Sequence, residues 1–182
     1  ILTLCVDAYS RLICGYLLSW EGGVYSLQEL LKNVIADKVE WCRRFGILIN
    51  PDEWSCSQLP GTLVTDRGTE YVGETFGQIA ELVVNIVNLP AFRPELKGIV
   101  ESAFHQLQEL YKPQLKGKGV VEPDANERGV HDYRKDACLT MNDFEKVILH
   151  CIIYYNSKRL LDNFPLTNEM LAAQIKPYST SI

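Results

Sequence analysis

The order of strand-like and helix-like segments is the feature that most constrains how this chain of 182 residues folds. Residues 1–9 and 12–19 are rich in apolar and β-branched side chains, and the polar pair Ser10–Arg11 separates them. This pattern predicts a β-hairpin. Two glycines, Gly22–Gly23, end the hairpin pattern, and apolar residues then recur at helical spacing. Strands and helices in alternation predict an α/β layer fold.

The first helix is predicted to open at Ser26, because Glu29 stands three residues later and completes a capping box. Its apolar stripe consists of Leu27, Leu30, Leu31, Val34, Ile35, Val39, Cys42 and Phe45. A short strand is predicted over Thr62–Thr65 and a second over Asn85–Leu89. Apolar residues between 76 and 83 predict a helix between these two strands.

The second half of the chain predicts two long helices joined by an irregular segment. The first helix runs through about Tyr111 and has an apolar stripe that packs inward. Residues 112–139 are rich in Gly, Lys and Asp without a clear period, which predicts a long loop or insertion. A last helix is predicted over residues 140–160. We therefore expect one domain over residues 1–182, and a fragment of a longer protein, since the sequence starts within a strand-like pattern.

Composition excludes several classes of protein. With 47% hydrophobic and 23% charged residues, the chain has enough apolar surface to bury a core, which excludes intrinsic disorder. No apolar run approaches the roughly 18 residues that span a bilayer, so we predict no membrane role. The six cysteines include no C-x-x-C pair and predict free thiols rather than a zinc site. A net charge of −5 argues against binding nucleic acid by bulk positive charge alone.

Two carboxylates stand where an α/β fold places functional groups. Asp66 follows the predicted strand directly, and ligands in α/β folds gather at the carboxyl ends of strands. Glu101 lies on the predicted helix before Tyr111, in a polar row with Lys97, His105 and Gln108 that would face a cleft. Mg²⁺ prefers oxygen ligands of this kind. The alternative is that Asp66 caps a turn and Glu101 is solvated.

The residues around these carboxylates carry a family resemblance. Asp66 lies in LVTDRGTEY and Glu101 in FRPELKGIVES, with 34 residues between the two acids. This text resembles the second and third members of the D,D-E signature of retroviral integrases and related transposases. The later segments ERGVHDYRKDACL and YN-x-x-R (Tyr155, Asn156 and Arg159) are not general integrase features. Together the motifs resemble TnsB-type transposases, the DNA-joining subunits of heteromeric bacterial transposons.

The resemblance implies a ribonuclease-H-like fold, an α/β domain in which helices flank a mixed five-stranded sheet. It implies three carboxylates that hold two Mg²⁺ or Mn²⁺ ions, roughly 3.5–4 Å apart as in other two-metal sites. Asp66 and Glu101 would be two of these catalytic, metal-binding residues. The implied reaction cuts the donor strand to free a 3′-hydroxyl, which then attacks target DNA.

The third carboxylate is expected upstream of residue 1, on the first strand of the sheet. Asp7 is the alternative candidate within the chain. A ribonuclease-H-like sheet begins with three antiparallel strands, however, and only two are predicted before the helix at Ser26. We therefore expect Asp7 to be structural and to pair with Arg11 across the turn.

Basic residues near the two acids are candidate DNA contacts, because Lys and Arg displace counterions from the phosphate backbone. Lys97 and Arg93 precede Glu101, and Arg67 follows Asp66 directly. Two of these have a structural alternative: Lys97 would pair with Glu101 at i,i+4, and Arg67 would hold the turn.

The resemblance also implies partners and a setting. The expected substrates are transposon-end and target DNA, and the expected protein partners are a companion endonuclease subunit and an ATPase regulator. The family implies a multimer on DNA, in the bacterial cytoplasm at the nucleoid. Two other functions stay open: an integrase-fold module that binds DNA or protein without catalysis, and a nuclease that cuts without joining.

Overall fold

Two pairs of strands and a set of helices form the described part of the chain. The structure is a computed structural model, and it describes residues 1–20, 24–65, 85–88, 94–120, 133–162 and 164–182. The strands are β1 (Leu2–Val6), β2 (Ile13–Leu18), β3 (Thr62–Thr65) and β4 (Asn85–Asn88). The helices are α1 (Val24–Ile35), α2 (Lys38–Arg44), α3 (Pro94–Tyr111), α4 (Met141–Ser157) and α5 (Asn168–Ala172).

The N-terminal hairpin predicted from the sequence is confirmed. β1 and β2 pair antiparallel, with Leu4 opposite Tyr16 and Cys5 opposite Gly15, and the register shifts after Cys5. Because successive side chains of a strand point to opposite faces, Leu4 and Cys5 enter different layers. The hairpin is therefore covered by helices on both faces, with α1 on one side and α3 and α4 on the other.

The single helix predicted from Ser26 to Phe45 is wrong, because the structure has two helices there. α1 begins two residues before Ser26, and α2 begins after Asp37, whose carboxylate accepts a hydrogen bond from the N–H of Glu40 at 2.9 Å. Lys38 is buried, and its ammonium donates to three main-chain carbonyls at the end of α1 at 2.7–3.0 Å. These bonds satisfy carbonyls that a helix end leaves unpaired. Burial lowers the pKa of Lys38.

β3 and β4 form a parallel pair, with Leu63 opposite Ile86. A parallel pair needs a crossover of about a dozen residues or more, usually a helix. The connection is residues 66–84, which include the predicted helix and lie outside the described residues. β3 has the predicted bounds, and β4 covers Asn85–Asn88 of the second predicted strand, whose last residue, Leu89, lies outside the described residues. The described part is thus mixed α/β, with two two-stranded sheets; the five-stranded sheet stays a prediction.

Two apolar clusters hold these layers together. The larger cluster lies between the hairpin, α3 and α4 and consists of Leu4, Ile13, Tyr16, Cys42, Ile47, Trp54, Ala103, Leu107, Ile148, Leu149, Ile152 and Tyr155. The predicted inward stripe of α3 is confirmed by Ala103 and Leu107 in this cluster, and α4 contributes Ile148, Leu149, Ile152 and Tyr155. In the smaller cluster, three leucines of α1 pack with Leu63 of β3, and Cys5 and Leu17 of the hairpin lie against it. α1 therefore packs on both strand pairs. None of the described helices is long and apolar enough to cross a bilayer.

Gly15 lies where β2 and α1 come close together. A Cβ at this position would lie 2.6 Å from Cγ2 of Val34 and 3.0 Å from the Val34 main-chain nitrogen. Since helix backbone cannot give way cheaply, we expect Gly15→Ala to lower the free energy of unfolding by about 1–3 kcal/mol in urea titrations. Gly61→Ala is the matched control, because a Cβ there meets nothing within 4 Å. Equal losses in both variants would contradict the close approach.

Candidate functional site

Glu101 is the predicted site residue whose side chain the structure describes. Asp66, Arg67 and Arg93 lie outside the described residues. Lys97 lies in the first turn of α3, but its side chain also lies outside the description. The predicted Lys97–Glu101 pairing and the three proposed DNA contacts therefore stay predictions.

The elements that carry the two acids are in their predicted places. β3 ends at Thr65, so Asp66 follows the carboxyl end of a strand. Glu101 is exposed on α3, while Ala103 and Leu107 of the same helix are fully buried. Carboxylate oxygens such as those of Asp66 and Glu101 are the kind of ligand that a hard divalent cation prefers. Among the described residues alone, no group of three or more His, Cys, Asp or Glu side chains could hold a metal ion.

Three members of the polar row of α3, Glu101, His105 and Gln108, do not line the cleft that other described residues form. His105 and Glu109 are both exposed, and the imidazole Nδ1 lies 3.6 Å from the Glu109 carboxylate. The neighbouring face of α3 lines the cleft instead, through Gly98, Ser102 and Gln106 among others. Because the Lys97 side chain and the segment after β3 lie outside the described residues, the cleft predicted to face Glu101 stays a prediction, distinct from the cleft lined by Gly98 and Ser102.

This cleft, which we call the hairpin cleft, has a volume of about 540 Å³. Three parts of the chain meet there: the β1–β2 turn, α3, and the end of α4 with the segment after it. Its lining residues are Ala8, Tyr9, Arg11, Gly98, Ile99, Ser102, Gln106, Tyr155, Arg159, Leu161, Asp162, Phe164 and Pro165. Sequence analysis missed the cleft because these segments lie far apart in the chain and no motif joins them.

The β1–β2 turn is held by Asp7. Its carboxylate accepts hydrogen bonds from the N–H of Tyr9 (3.1 Å), the N–H of Ser10 (2.7 Å) and the hydroxyl of Ser10 (2.8 Å). Across the turn, the main-chain N–H of Arg11 donates to the main-chain oxygen of Asp7 at 3.1 Å, so the pairing runs through the backbone. Arg11 has a φ of 63°, the left-handed region that a tight turn requires here. These contacts agree with the structural role predicted for Asp7.

Asn156, in the YN-x-x-R motif, joins α4 to β2. Its side chain is fully buried, and its Oδ1 accepts from the N–H of Ile13 at 2.9 Å while its Nδ2 donates to the Ile13 oxygen at 3.1 Å. The indole N–H of Trp54 donates to the same oxygen at 2.7 Å. Buried main-chain groups need such partners. Asn156 therefore fixes the end of α4 that carries Tyr155 and Arg159 into the hairpin cleft.

Two arginines, Arg11 and Arg159, line the hairpin cleft together with the buried Tyr155. Burial raises the pKa of Tyr155, and the positive charges of Arg159 and Arg11 act against that rise. The Arg159 guanidinium lies 5.4 Å from the centroid of the Tyr155 ring and its Nη2 is 3.5 Å from Asp162. Asp162 is the one carboxylate among the lining residues, and its side chain is 84% exposed.

Four of the six cysteines have raised pKa values, whereas a hydrogen bond with Cys14 lowers the pKa of Cys5. All six are free. A hydrogen bond with Cys5 raises the pKa of Cys14 to about 12, and burial raises the pKa of Cys42 and of Cys151 to about 11. The pKa of Cys56 is also raised, chiefly by its hydrogen bond with Cys14. Because the thiolate is the reactive form, these four thiols are poor nucleophiles at neutral pH.

Comparisons with known proteins point to one family. The sequence profile of the family described as the TnsB C-terminal domain matches residues 1–117. The transposon Tn7 transposition protein TnsB of Escherichia coli is 31% identical over 165 residues, which are 90% of this chain and 23% of that protein. The transposase for transposon Tn552 of Staphylococcus aureus is 25% identical over 118 residues, which are 64% of this chain and 22% of that protein.

The chain thus spans less than a quarter of the length of these curated relatives. The matched family is named for a C-terminal domain, whereas the sequence motifs predicted a catalytic core. Asp66 and Glu101 both lie within the matched residues.

Proposed function

The chain belongs to the TnsB C-terminal domain family, and from the acids Asp66 and Glu101 we propose that it is the part of a transposase that cuts and joins DNA with divalent cations. Both relatives are named as transposition proteins. The observation that carries the proposal is the pair of acids that the chain places directly after β3 and on α3. Asp66 follows the carboxyl end of a strand, and Glu101 stands exposed on a helix whose opposite face is buried.

We propose further that a strand from outside residues 1–182 completes the sheet. In the described residues β1 pairs with β2 and β3 pairs with β4, and α1 packs on both pairs. A strand between β1 and β3 would join the two pairs into one mixed five-stranded, ribonuclease-H-like sheet. It would also carry the third carboxylate, since the Asp7 carboxylate is occupied by the hairpin turn.

Each site residue has a separate task in this proposal. Asp66 and Glu101 hold Mg²⁺ or Mn²⁺ through carboxylate oxygens. When bound, two such ions lower the pKa of the attacking hydroxyl and neutralise the leaving oxygen of an in-line displacement. Arg67, Arg93 and Lys97 bind phosphates of the DNA beside the two acids, and neutralising them holds the strand in register.

The proposed substrates are transposon-end DNA and target DNA. The resemblance to TnsB-type transposases supports a companion endonuclease subunit and an ATPase regulator as protein partners, and a multimer assembled on DNA at the bacterial nucleoid. A transposase joins two DNA ends to one target, so several copies must act together. The net charge of −5 also favours partners that contribute affinity for DNA.

The function is tested with the full-length protein, duplex oligonucleotides that carry the ends of its transposon, and a target plasmid. We expect joined products with Mn²⁺ or Mg²⁺ and none after the metal is removed with EDTA, because two carboxylate-bound cations carry the chemistry. Products are measured on denaturing gels.

The other outcomes overturn the proposal. Cleaved ends without joined products would indicate a nuclease. DNA binding without cleavage, at any metal concentration, would indicate an inactive binding module. Joining that persists in EDTA would exclude the two-metal chemistry.

A further inference from the structure

We propose that the hairpin cleft binds a phosphodiester of a DNA strand, with an adjoining base stacked on Tyr9. The inference rests on the proposed action on DNA and adds a contact surface that the acids and the basic residues beside them do not include. It assigns a binding role to Arg11, Arg159 and Tyr9.

The charge of the cleft fits a phosphate. Arg11 and Arg159 come from segments far apart in the sequence, and both line the cleft, where the Arg159 guanidinium lies 5.4 Å from the centroid of the Tyr155 ring. A planar guanidinium matches the oxygens of a phosphate bidentately. Asp162, the one carboxylate in the lining, is largely exposed and 3.5 Å from Arg159, so it can be displaced into solvent when a phosphate binds.

The remaining wall of the cleft supplies groups that suit a nucleotide. Tyr9 is 61% exposed, and its ring makes an edge contact with Phe164 at 5.6 Å between centroids. Gln106 Nε2 donates to the hydroxyl of Ser102 at 3.2 Å, so that hydroxyl keeps its own hydrogen for an acceptor in the cleft. Aromatic rings that accept a base, beside cations that accept the backbone, are typical of binding sites for single strands.

The cleft also lies in the right place along α3. Its lining residue Ser102 follows Glu101 directly, and Gly98 lies almost one turn earlier. A Cβ at Gly98 would meet nothing within 4 Å, so the helix surface there is open. A strand held in the cleft would therefore continue past the exposed face of α3 that carries Glu101.

The turn that presents Arg11 and Tyr9 is already ordered. Asp7 accepts three hydrogen bonds from Tyr9 and Ser10, and the left-handed Arg11 closes the turn. A preformed site loses less conformational entropy on binding. Asp7 is in this view a positioning residue for the cleft.

The test measures the salt dependence of DNA binding by the full-length protein, with a transposon-end duplex that has an unpaired 3′ extension. Log affinity falls as log salt concentration rises, and each phosphate contact makes this negative slope steeper by about 0.9. We expect Arg11→Gln and Arg159→Gln each to make the slope shallower by about 1, and the double variant by about 2. Arg11→Lys and Arg159→Lys should keep the slope, since they keep the charge.

Arg44→Gln is the matched control. Its guanidinium also lies on an aromatic ring, 5.2 Å from the Trp41 centroid, but on α2 and outside the cleft. We expect its slope to equal that of the wild type. If Arg159→Gln fails to fold, Arg11→Gln decides the question. Arg11 contributes to the turn through its main-chain N–H, and glutamine keeps that group.

A second variant tests the stacked base. We expect Tyr9→Ala to lower affinity for the extended duplex about 10-fold and to leave affinity for a blunt duplex unchanged, whereas Tyr9→Phe keeps the preference. Trp20→Ala, at an aromatic residue that is 82% exposed and follows the far end of β2 by two residues, should change neither.

The outcomes separate this inference from the proposed function. If the wild-type protein joins DNA and the arginine variants keep its salt slope, the proposed cleft site is overturned and the proposed function stands. Wild-type protein that neither binds nor joins DNA overturns both. Unchanged DNA binding combined with lost binding to an acidic peptide would show that the cleft serves a protein partner instead.

Discussion

Glu101→Gln in the full-length protein should abolish strand joining while the fold survives. Glutamine has the shape of glutamate without its charge, so it loses the anionic metal ligand. A bound cation supplies several kcal/mol of transition-state stabilisation, which corresponds to a loss of at least about 10³-fold at 1.36 kcal/mol for each factor of ten. Because Glu101 is exposed, we expect the free energy of unfolding to change by less than about 0.5 kcal/mol.

Glu109→Gln is the control for this variant. Glu109 is an exposed glutamate on the same helix, eight residues further on and paired with His105. We expect it to keep wild-type joining. If both variants lose activity equally, or if Glu101→Gln keeps it, Glu101 is not a metal ligand. Asp66→Asn should behave like Glu101→Gln, and the double variant no worse, because residues that act as one unit are not additive.

The sequence predicted those parts of the fold that local patterns determine. Two segments rich in apolar and β-branched residues around a polar turn predicted the hairpin, and the stripe at helical spacing predicted the buried face of α3, including Ala103 and Leu107. The break between α1 and α2 was missed because the apolar stripe continues across it. A sequence signal was present, since Asp37 followed by Glu40 three residues later is itself a helix-start pattern.

Features that depend on tertiary contacts could not be predicted in this way. The hairpin cleft joins Tyr9, Ser102 and Arg159, and no local pattern records that these residues meet. The burial of Lys38 also depends on tertiary contacts. The free-energy cost of burying its ammonium is offset by hydrogen bonds to main-chain carbonyls that only the packed end of α1 supplies. Composition could not predict the local charge of a site either, because a chain with a net charge of −5 still has a cleft lined by two arginines.

Asn156→Leu should be among the most destabilising single substitutions in the described part of the chain. Leucine has a similar volume but makes neither hydrogen bond with Ile13. The Ile13 oxygen keeps the indole N–H of Trp54, whereas the Ile13 N–H would be left buried without a partner. An unsatisfied buried donor costs about 1–3 kcal/mol, and with the lost second bond we expect a total of about 2–4 kcal/mol in urea unfolding.

Asn142→Leu on the same helix is the matched control, since Asn142 is exposed and leucine favours a helix. We expect it to leave stability unchanged or slightly higher. Asn156→Asp separates the two hydrogen bonds, because a carboxylate accepts from the Ile13 N–H but cannot donate to its oxygen. We expect this variant to be at least as unstable as Asn156→Leu near pH 7, since it buries a negative charge. If Asn156→Leu proves as stable as the wild type, then the link between α4 and β2, and with it the placement of Tyr155 and Arg159, must come from packing alone.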